Sequence, residues 1–225
     1  AVSYIKSLCL TQIFSGKLMH LFLQFIFIFL FAVSAFAQSY KAIESADDHI
    51  KIEFNFEGRF SVSDTVAGSN RFNYIKGDNS LQCAPGAPSL PVQSVLIGIP
   101  AGSSPEVRVI SNEKETINNK FIIPFSVLDP EESAETGINF DRNIYSSNKV
   151  YPAENASLSS AFRMRYINSV TLRVYPYQFN PVKRELTFNK KIVVVVYYNA
   201  GNSVTASHID DPMTSEFIKS NLVNS

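Results

Sequence analysis

Residues 165–199 read RYINSVTLRVYPYQFNPVKRELTFNKKIVVVVYYN, and this stretch decides the fold. Apolar and polar side chains alternate through residues 170–174, which is the period of a strand with one buried face. Asn180-Pro181 predicts a turn, because proline fixes φ and keeps the preceding residue out of the helical region.

The second half of this stretch predicts two more strands. Residues 185–188 form a short one, and residues 189–191 predict a polar turn. Residues 192–198 are rich in β-branched side chains and apolar on both faces, as expected of a strand covered on both sides. We therefore expect a β-meander on which the rest of the chain packs.

The upstream sequence is also β-rich. Residues 49–57 alternate cleanly, and residues 60–66 are expected to form their hairpin partner. Residues 83–91 contain three prolines, which favours an extended crossing between sheets. Only residues 212–223 show a short amphipathic helical pattern. Further strands are expected over residues 71–75, 92–99, 107–110 and 120–127.

These patterns predict an all-β fold, an antiparallel β-sandwich preceded by a signal peptide and followed by a polar linker. Its core is expected to contain alternating apolar residues from several strands. They are Ile52, Phe54, Leu96, Ile122, Val170, Leu172, Val174, Val194 and Val196.

The segment 128–148 differs in composition from the predicted strands around it. It holds five acidic residues and a single basic one, Arg142. A connection of this length in a compact domain is usually either functional or disordered. We call residues 128–148 the acidic connection.

The N-terminal region resembles an export signal. Residues 21–33 are almost wholly apolar and are followed by Ala35-Phe36-Ala37, which predicts signal-peptidase cleavage between Ala37 and Gln38. Met19 is the natural initiator, so residues 1–18 are expected to be upstream sequence and residues 19–37 the signal peptide. A membrane anchor is the alternative, but the apolar run is shorter than the ~20 residues of a spanning helix.

Charge and cysteine content limit the partners of the mature chain. The full sequence has 20 basic and 20 acidic residues, and removal of Lys6 and Lys17 with the signal leaves a net charge of −2. Such a surface gives no electrostatic reason to bind nucleic acid or an anionic membrane. Cys9 leaves as well, so Cys83 has no internal disulfide partner.

No pattern in the sequence indicates an active site or a metal site. Cys83 with His49 or His208 is a candidate thiol–imidazole pair, but a lone cysteine in a proline-rich crossing is more often a small apolar residue. The histidines and cysteine lack zinc-ligand spacing, and Asp47-Asp48 and Asp210-Asp211 do not fit a calcium loop. We therefore predict no catalytic residue, no metal and no cofactor.

Two motifs carry a family resemblance. The first motif contains Gly86, Pro88, Leu90, Pro91 and Val92, followed by Ile99-Pro100. The second motif contains Pro176, Gln178, Phe179, Asn180 and Pro181. Together they resemble the propeptide domain of gingipain-type cysteine peptidases (family C25), over roughly residues 40–200.

The resemblance implies a β-sandwich prodomain of a secreted or cell-surface bacterial protease. Such a domain assists folding of a downstream catalytic domain in cis and occludes its cleft until proteolysis. The chain itself would then not hydrolyse peptides. Residues 38–200 would be this domain, and residues 201–225 a linker toward a catalytic domain absent from the sequence.

Two other interpretations stay open from the sequence. One is an extracellular binding or adhesion sandwich in a cell-surface protein. The aromatic content suggests carbohydrate binding, but the Trp platforms that sugar-binding sandwiches often present are absent. The other is the same prodomain attached to a sorting peptidase at the outer membrane.

For the prodomain interpretation, two basic residues are site candidates. Arg142 in the acidic connection is the candidate inhibitory contact, because it can enter a carboxylate-floored pocket as a substrate mimic. Lys219 is the candidate maturation cleavage site, as the only basic residue in the tail.

Overall fold

The computed structural model describes residues 39–67, 70–77, 80–81, 83–125, 138–164, 167–199, 216 and 222–224. The predicted signal peptide, its cleavage site and Lys219 lie outside these residues, as do His208 and Asp210-Asp211. The described elements are β1 (Tyr40–Ser45), β2 (His49–Asn55), β3 (Ser61–Ala67), β4 (Asn70–Lys76), β5 (Ser80–Leu81), β6 (Pro91–Ile99), β7 (Ser104–Ile117), α1 (Arg142–Tyr145), β8 (Ala156–Leu158), β9 (Phe162–Met164), β10 (Ile167–Val174), β11 (Tyr177–Asn180) and β12 (Glu185–Asn199).

The strands form two larger sheets and a separate hairpin. Sheet I has the order β1-β2-β12-β11, with β7 also on β12. Sheet II has the order β5-β6-β10-β8, with β9 also on β10, and β3 pairs β4 by itself. The strand pairs are antiparallel, so the predicted all-β antiparallel class is confirmed.

The two sheets pack face to face through their alternating apolar residues. Ile50, Ile52 and Phe54 of β2 and Val194 of β12 meet the inward residues of β6 and β10 in one buried cluster. Val193 and Val195, on the opposite face of β12, are also buried, which confirms that this strand is covered on both faces.

Eight of the nine predicted core residues are buried, and Leu96 is the exception. On β6 the inward positions are Val95, Ile97 and Ile99, so the period of two places Leu96 on the opposite face, where it is only half-buried. Ile122 is fully buried, but in a second, smaller cluster.

The predicted turn at residues 189–191 is wrong, because β12 runs through it without a break. The ladder to β7 shifts register between Asn189 and Lys191, so the polar residues lie at a bulge in a continuous strand. Their charges are paired across the sheet: Lys190 Nζ lies 2.7 Å from Glu115 Oε2, and Lys191 Nζ 2.9 Å from Glu53 Oε2.

The meander prediction is wrong as well, because β10 lies in sheet II whereas β11 and β12 lie in sheet I. The chain changes sheets at Tyr175-Pro176, where proline has no N–H to continue a ladder. The Asn180-Pro181 turn is confirmed: it joins β11 to β12, and Arg184 closes it with a φ of 55°.

Three other local predictions need correction. β3 does not pair with β2, because β1 and β12 already occupy both edges of β2. Residues 120–125 are extended but form only isolated bridges, and the predicted strand over 107–110 is part of the longer β7.

In the described part of the chain, no helix is long and apolar enough to cross a membrane.

Val194→Asp tests the central position of β12. Val194 is fully buried between the sheets, so an unpaired carboxylate there should lower the free energy of unfolding by about 4 kcal/mol or more. Ile110→Asp is the matched control, since Ile110 on β7 is 50% exposed and the same change should cost at most about 1 kcal/mol. Urea unfolding measures both, and equal losses would contradict the assignment.

Candidate functional site

Gly86 of the first motif binds backbone groups just before the acidic connection and within it. Its N–H donates to the carbonyl of Phe125 (2.8 Å), and its carbonyl accepts from the N–H of Asp141 (2.9 Å). Ala87 adds a third bond, accepting from the N–H of Phe125 (2.7 Å). Residues 126–137 are not described, but the residues on either side of them meet at this one glycine.

The conformation of this position requires glycine. Gly86 has a φ of +81°, in the left-handed region that side chains disfavour. A Cβ there would lie 2.9 Å from the Asp141 nitrogen and 3.4 Å from the Phe140 carbonyl carbon. Any larger residue would therefore push against the backbone pairing that holds the connection.

The strand-like segment before the connection is held from two sides. Ser89 donates to the carbonyl of Ile123 (3.0 Å), which continues the pairing that begins at Gly86. On the other side, the Asn73 N–H donates to the Phe121 carbonyl (2.7 Å), and its carbonyl accepts from Ile123 (2.9 Å). The Asn73 Oδ1 also accepts from the Phe121 N–H (2.9 Å), so this buried asparagine fixes the segment with three bonds.

The second motif holds the segment that follows the connection. Gln178 Nε2 donates to the Pro152 carbonyl (2.9 Å), and Gln178 Oε1 accepts from Asn155 Nδ2 (2.8 Å). Phe179 and Tyr151 exchange two backbone hydrogen bonds of 2.7 and 2.8 Å.

Asn180 completes this contact and also shapes its own turn. Its Nδ2 donates to Asn148 Oδ1 (3.1 Å), and its Oδ1 accepts from the Lys183 N–H (3.1 Å). The second motif therefore reaches the last residue of the acidic connection directly.

A small core joins the two motifs. Leu90 of the first and Phe179 of the second belong to one buried cluster with Ile122, Tyr177 and Leu186. Pro88 of the first motif forms a bridge with Pro124, and Pro176 accepts from the Asn189 N–H (2.8 Å). The remaining motif residues lie where strands begin or end. Pro91 and Val92 begin β6 and are buried. Pro181 begins the turn into β12, and Pro100 is exposed at the turn after β6.

The described end of the acidic connection, residues 138–148, packs against the domain. Phe140 and Tyr145 lie edge to face at 4.9 Å, and the Tyr145 hydroxyl donates to the Ile122 carbonyl (2.8 Å). Phe121 contacts both rings, at 6.2 and 5.6 Å. In the sequence, residues 128–137 are thus the part of the connection between Phe125 and this packed segment.

Arg142, the candidate inhibitory residue, lies in α1 at one of these ends. Its side chain is exposed and forms no ion pair with another described residue. Asp141, the residue before it, caps α1 by accepting from the Asn143 N–H (2.9 Å). The helix α1 therefore presents the Arg142 guanidinium to solvent.

Cys83 lies beside the first motif and contacts its backbone. Its Sγ donates to the Leu90 carbonyl (3.5 Å), and burial raises the pKa of the thiol, so it stays protonated at neutral pH. His49 is bound elsewhere, with Nδ1 2.7 Å from Asp48 Oδ1 and Nε2 3.5 Å from Glu44 Oε1. Among the described residues, no group of three His, Cys, Asp or Glu side chains is placed to hold a metal.

Sequence reasoning located the motif residues but missed Asn73, Phe140 and Tyr145, which contact residues 121–123. Asn73 had a detectable signal, because it is a polar residue at an interior position of a predicted strand. The two aromatic residues lie in the polar connection, and nothing local indicated that they pack on residues 121 and 122.

Comparisons with known proteins agree with this architecture. The Propeptide_C25 family model matches residues 38–224. Gingipain R1 of Porphyromonas gingivalis is 26% identical over 161 residues, which cover 69% of this chain but only 16% of that relative. The chain thus spans about a sixth of the length of this curated relative.

Two solved structures share the fold. The complex of Porphyromonas gingivalis RgpB pro- and mature domains matches 83% of this chain and 97% of the other, with a TM-score of 0.71 and 20% identity. A structure on the zymogenic latency of gingipain K from the same organism matches 75% of this chain and 97% of the other, with a TM-score of 0.61 and 16% identity. On the family match, this chain belongs to the C25 propeptide family and is a propeptide domain of the gingipain type.

Proposed function

We propose that the chain is the N-terminal part of a secreted gingipain-like cysteine endopeptidase precursor, whose catalytic domain lies downstream of these 225 residues. The domain assists folding of that catalytic domain and keeps it latent until it is cut away. One observation supports this proposal: the first motif binds backbone groups on both sides of residues 126–137, and the second motif binds Asn148 and the backbone that directly follows the connection.

This arrangement suits an inhibitor. A binding segment whose ends are fixed loses less conformational entropy on association than a free loop of the same length. Gly86, Asn73 and Gln178 anchor the chain before, within and after the connection by hydrogen bonds to backbone groups, which do not depend on the side chains between them. The composition of residues 126–137 is therefore available for recognition of the catalytic domain.

Arg142 is the proposed contact with the specificity pocket. It is the one basic residue in the acidic connection, and its side chain is exposed next to the anchored Asp141. A carboxylate in the floor of the pocket would accept two hydrogen bonds from the guanidinium.

Maturation is proposed to cut the tail after Lys219, and export to use the signal peptide of residues 19–37. The mature domain would then be secreted or held at the cell surface, with its peptidase as the partner and no stable membrane insertion. Both assignments rest on sequence features that lie outside the described residues.

Arg142→Ala should weaken inhibition of the mature peptidase by the separate domain at least tenfold, which corresponds to about 1.4 kcal/mol. The measurement is the inhibition constant of residues 38–225 added in trans. Lys149→Ala is the control, because Lys149 is also basic and exposed but lies beyond the connection, and it should change the constant less than twofold. An unchanged constant for Arg142→Ala would remove this residue from the contact.

Gly86→Ala tests the backbone contacts that Gly86 makes with Phe125 and Asp141. A methyl group 2.9 Å from the Asp141 nitrogen should displace that end of the connection and raise the inhibition constant several-fold. Gly58→Ala separates crowding from backbone strain: Gly58 has a φ of +72°, but nothing lies within 4 Å of its Cβ position. Both variants should lose about 1 kcal/mol of stability from the positive φ, but only Gly86→Ala should lose inhibition. Equal inhibition by the two variants would contradict the proposed role of Gly86.

Export of the precursor should yield a chain that begins at Gln38. Its N-terminus is expected to cyclise to pyroglutamate, which blocks Edman sequencing but is visible by mass spectrometry. An exported chain that still contains Phe31 would indicate an anchor instead of a cleaved signal.

A further inference from the structure

The edge of β6 that faces away from β10 binds residues 222–224. β5 occupies this edge only at Pro91 and Val92. Farther along, Leu222 forms a parallel bridge with Leu96, and the Val223 N–H donates to the Leu96 carbonyl (3.1 Å). The expected polar linker therefore includes a segment that returns to the sandwich.

Asn224 extends this pairing with its side chain. Its Oδ1 accepts from the Gly98 N–H (2.9 Å), and its Nδ2 donates to the Gly98 carbonyl (2.8 Å). A side-chain amide carries the same donor and acceptor as a peptide group, so Asn224 takes the place that the next residue of a neighbouring strand would take. Its Nδ2 also lies 3.3 Å from the hydroxyl of Tyr198.

Gly98 provides the space for this contact. A Cβ at Gly98 would lie 3.3 Å from Leu222 Cδ2 and 3.5 Å from Asn224 Oδ1. Leu222 is only 7% exposed, so its side chain is buried in the position that a residue at 98 would crowd. Burial raises the pKa of Tyr198 to about 12, so its hydroxyl stays neutral at physiological pH.

We propose that this edge of β6 is a docking site for the first residues of the downstream product. The proposal rests on the maturation cut after Lys219. That cut would assign Leu222, Val223 and Asn224 to the peptidase side, although they are seated on the prodomain. The cut prodomain would then hold the new N-terminal segment of its peptidase as an added strand, independently of the acidic connection.

Two attachment points have a measurable consequence. With the acidic connection bound at the cleft and residues 222–224 bound at β6, loss of either contact speeds dissociation of the cut complex. A prodomain that lacks the β6 contact still binds the cleft but leaves sooner.

The first test needs no peptidase. Amide hydrogen exchange in residues 38–225 should show a protected N–H at Gly98, and Asn224→Ala should speed its exchange at least tenfold while the amides of β12 keep their rates. Asn202→Ala is the control for an asparagine elsewhere in the tail and should change nothing at Gly98. A Gly98 amide that exchanges equally fast with and without Asn224 would overturn the docking site.

The second test uses the precursor extended through its catalytic domain, with the catalytic cysteine replaced by alanine and the tail cut by added active enzyme. Gly98→Val should increase the dissociation rate of the prodomain at least fivefold, because the added side chain meets Leu222 and Asn224. Failure of Arg142→Ala to weaken inhibition leaves this expectation unchanged, so the two proposals fail separately. An unchanged dissociation rate, with Gly98 still protected in the first test, would overturn retention after the cut.

Discussion

A small buried cluster of Leu90, Ile122, Tyr177, Phe179 and Leu186 is the contact on which the proposed inhibitory site depends. Leu90 belongs to the first motif and Phe179 to the second, while Ile122 lies just before the acidic connection. This cluster is separate from the main core between the sheets. It brings together three segments that are distant in sequence. The hydrogen bonds of Gly86, Asn73 and Gln178 then add direction to a contact that apolar burial alone leaves unspecific.

The two apolar clusters have different parts in the proposed inhibitory role. The main core makes a stiff sandwich, in which β12 is paired along both edges and buried on both faces. The second cluster fixes Ile122 ahead of the acidic connection, and Tyr145 within the connection packs against it. Preorganisation of a binding segment on a stiff support improves affinity without new contacts.

Local patterns predicted the strands well, but not how they pair. Alternation in residues 49–57 predicted both β2 and its buried face, because a period of two is a property of the chain itself. The position of β10 in the other sheet was not predictable, because Tyr175-Pro176 ends a ladder without indicating where the next strand goes. The polar run Asn189-Lys190-Lys191 resembled a turn, since the carboxylates of Glu115 and Glu53 that pair with it lie on other strands.

In the proposed inhibitory region, too, local sequence patterns predict residues but not their partners. Gly86 and Gln178 were recognised as motif residues, but their partners at Phe125, Asp141 and Pro152 are found only in the folded structure. The side chain of Asn224 likewise pairs with Gly98 across most of the sequence, with no local signal.

The central claim is that the two motifs present the acidic connection to the catalytic domain. Its most direct test is amide hydrogen exchange of residues 38–225, free and in complex with the mature peptidase. The account predicts that binding slows exchange in peptides covering residues 126–145 and leaves the β3–β4 hairpin unchanged. Protection on the hairpin, with residues 126–145 exchanging as fast as in the free domain, would contradict it.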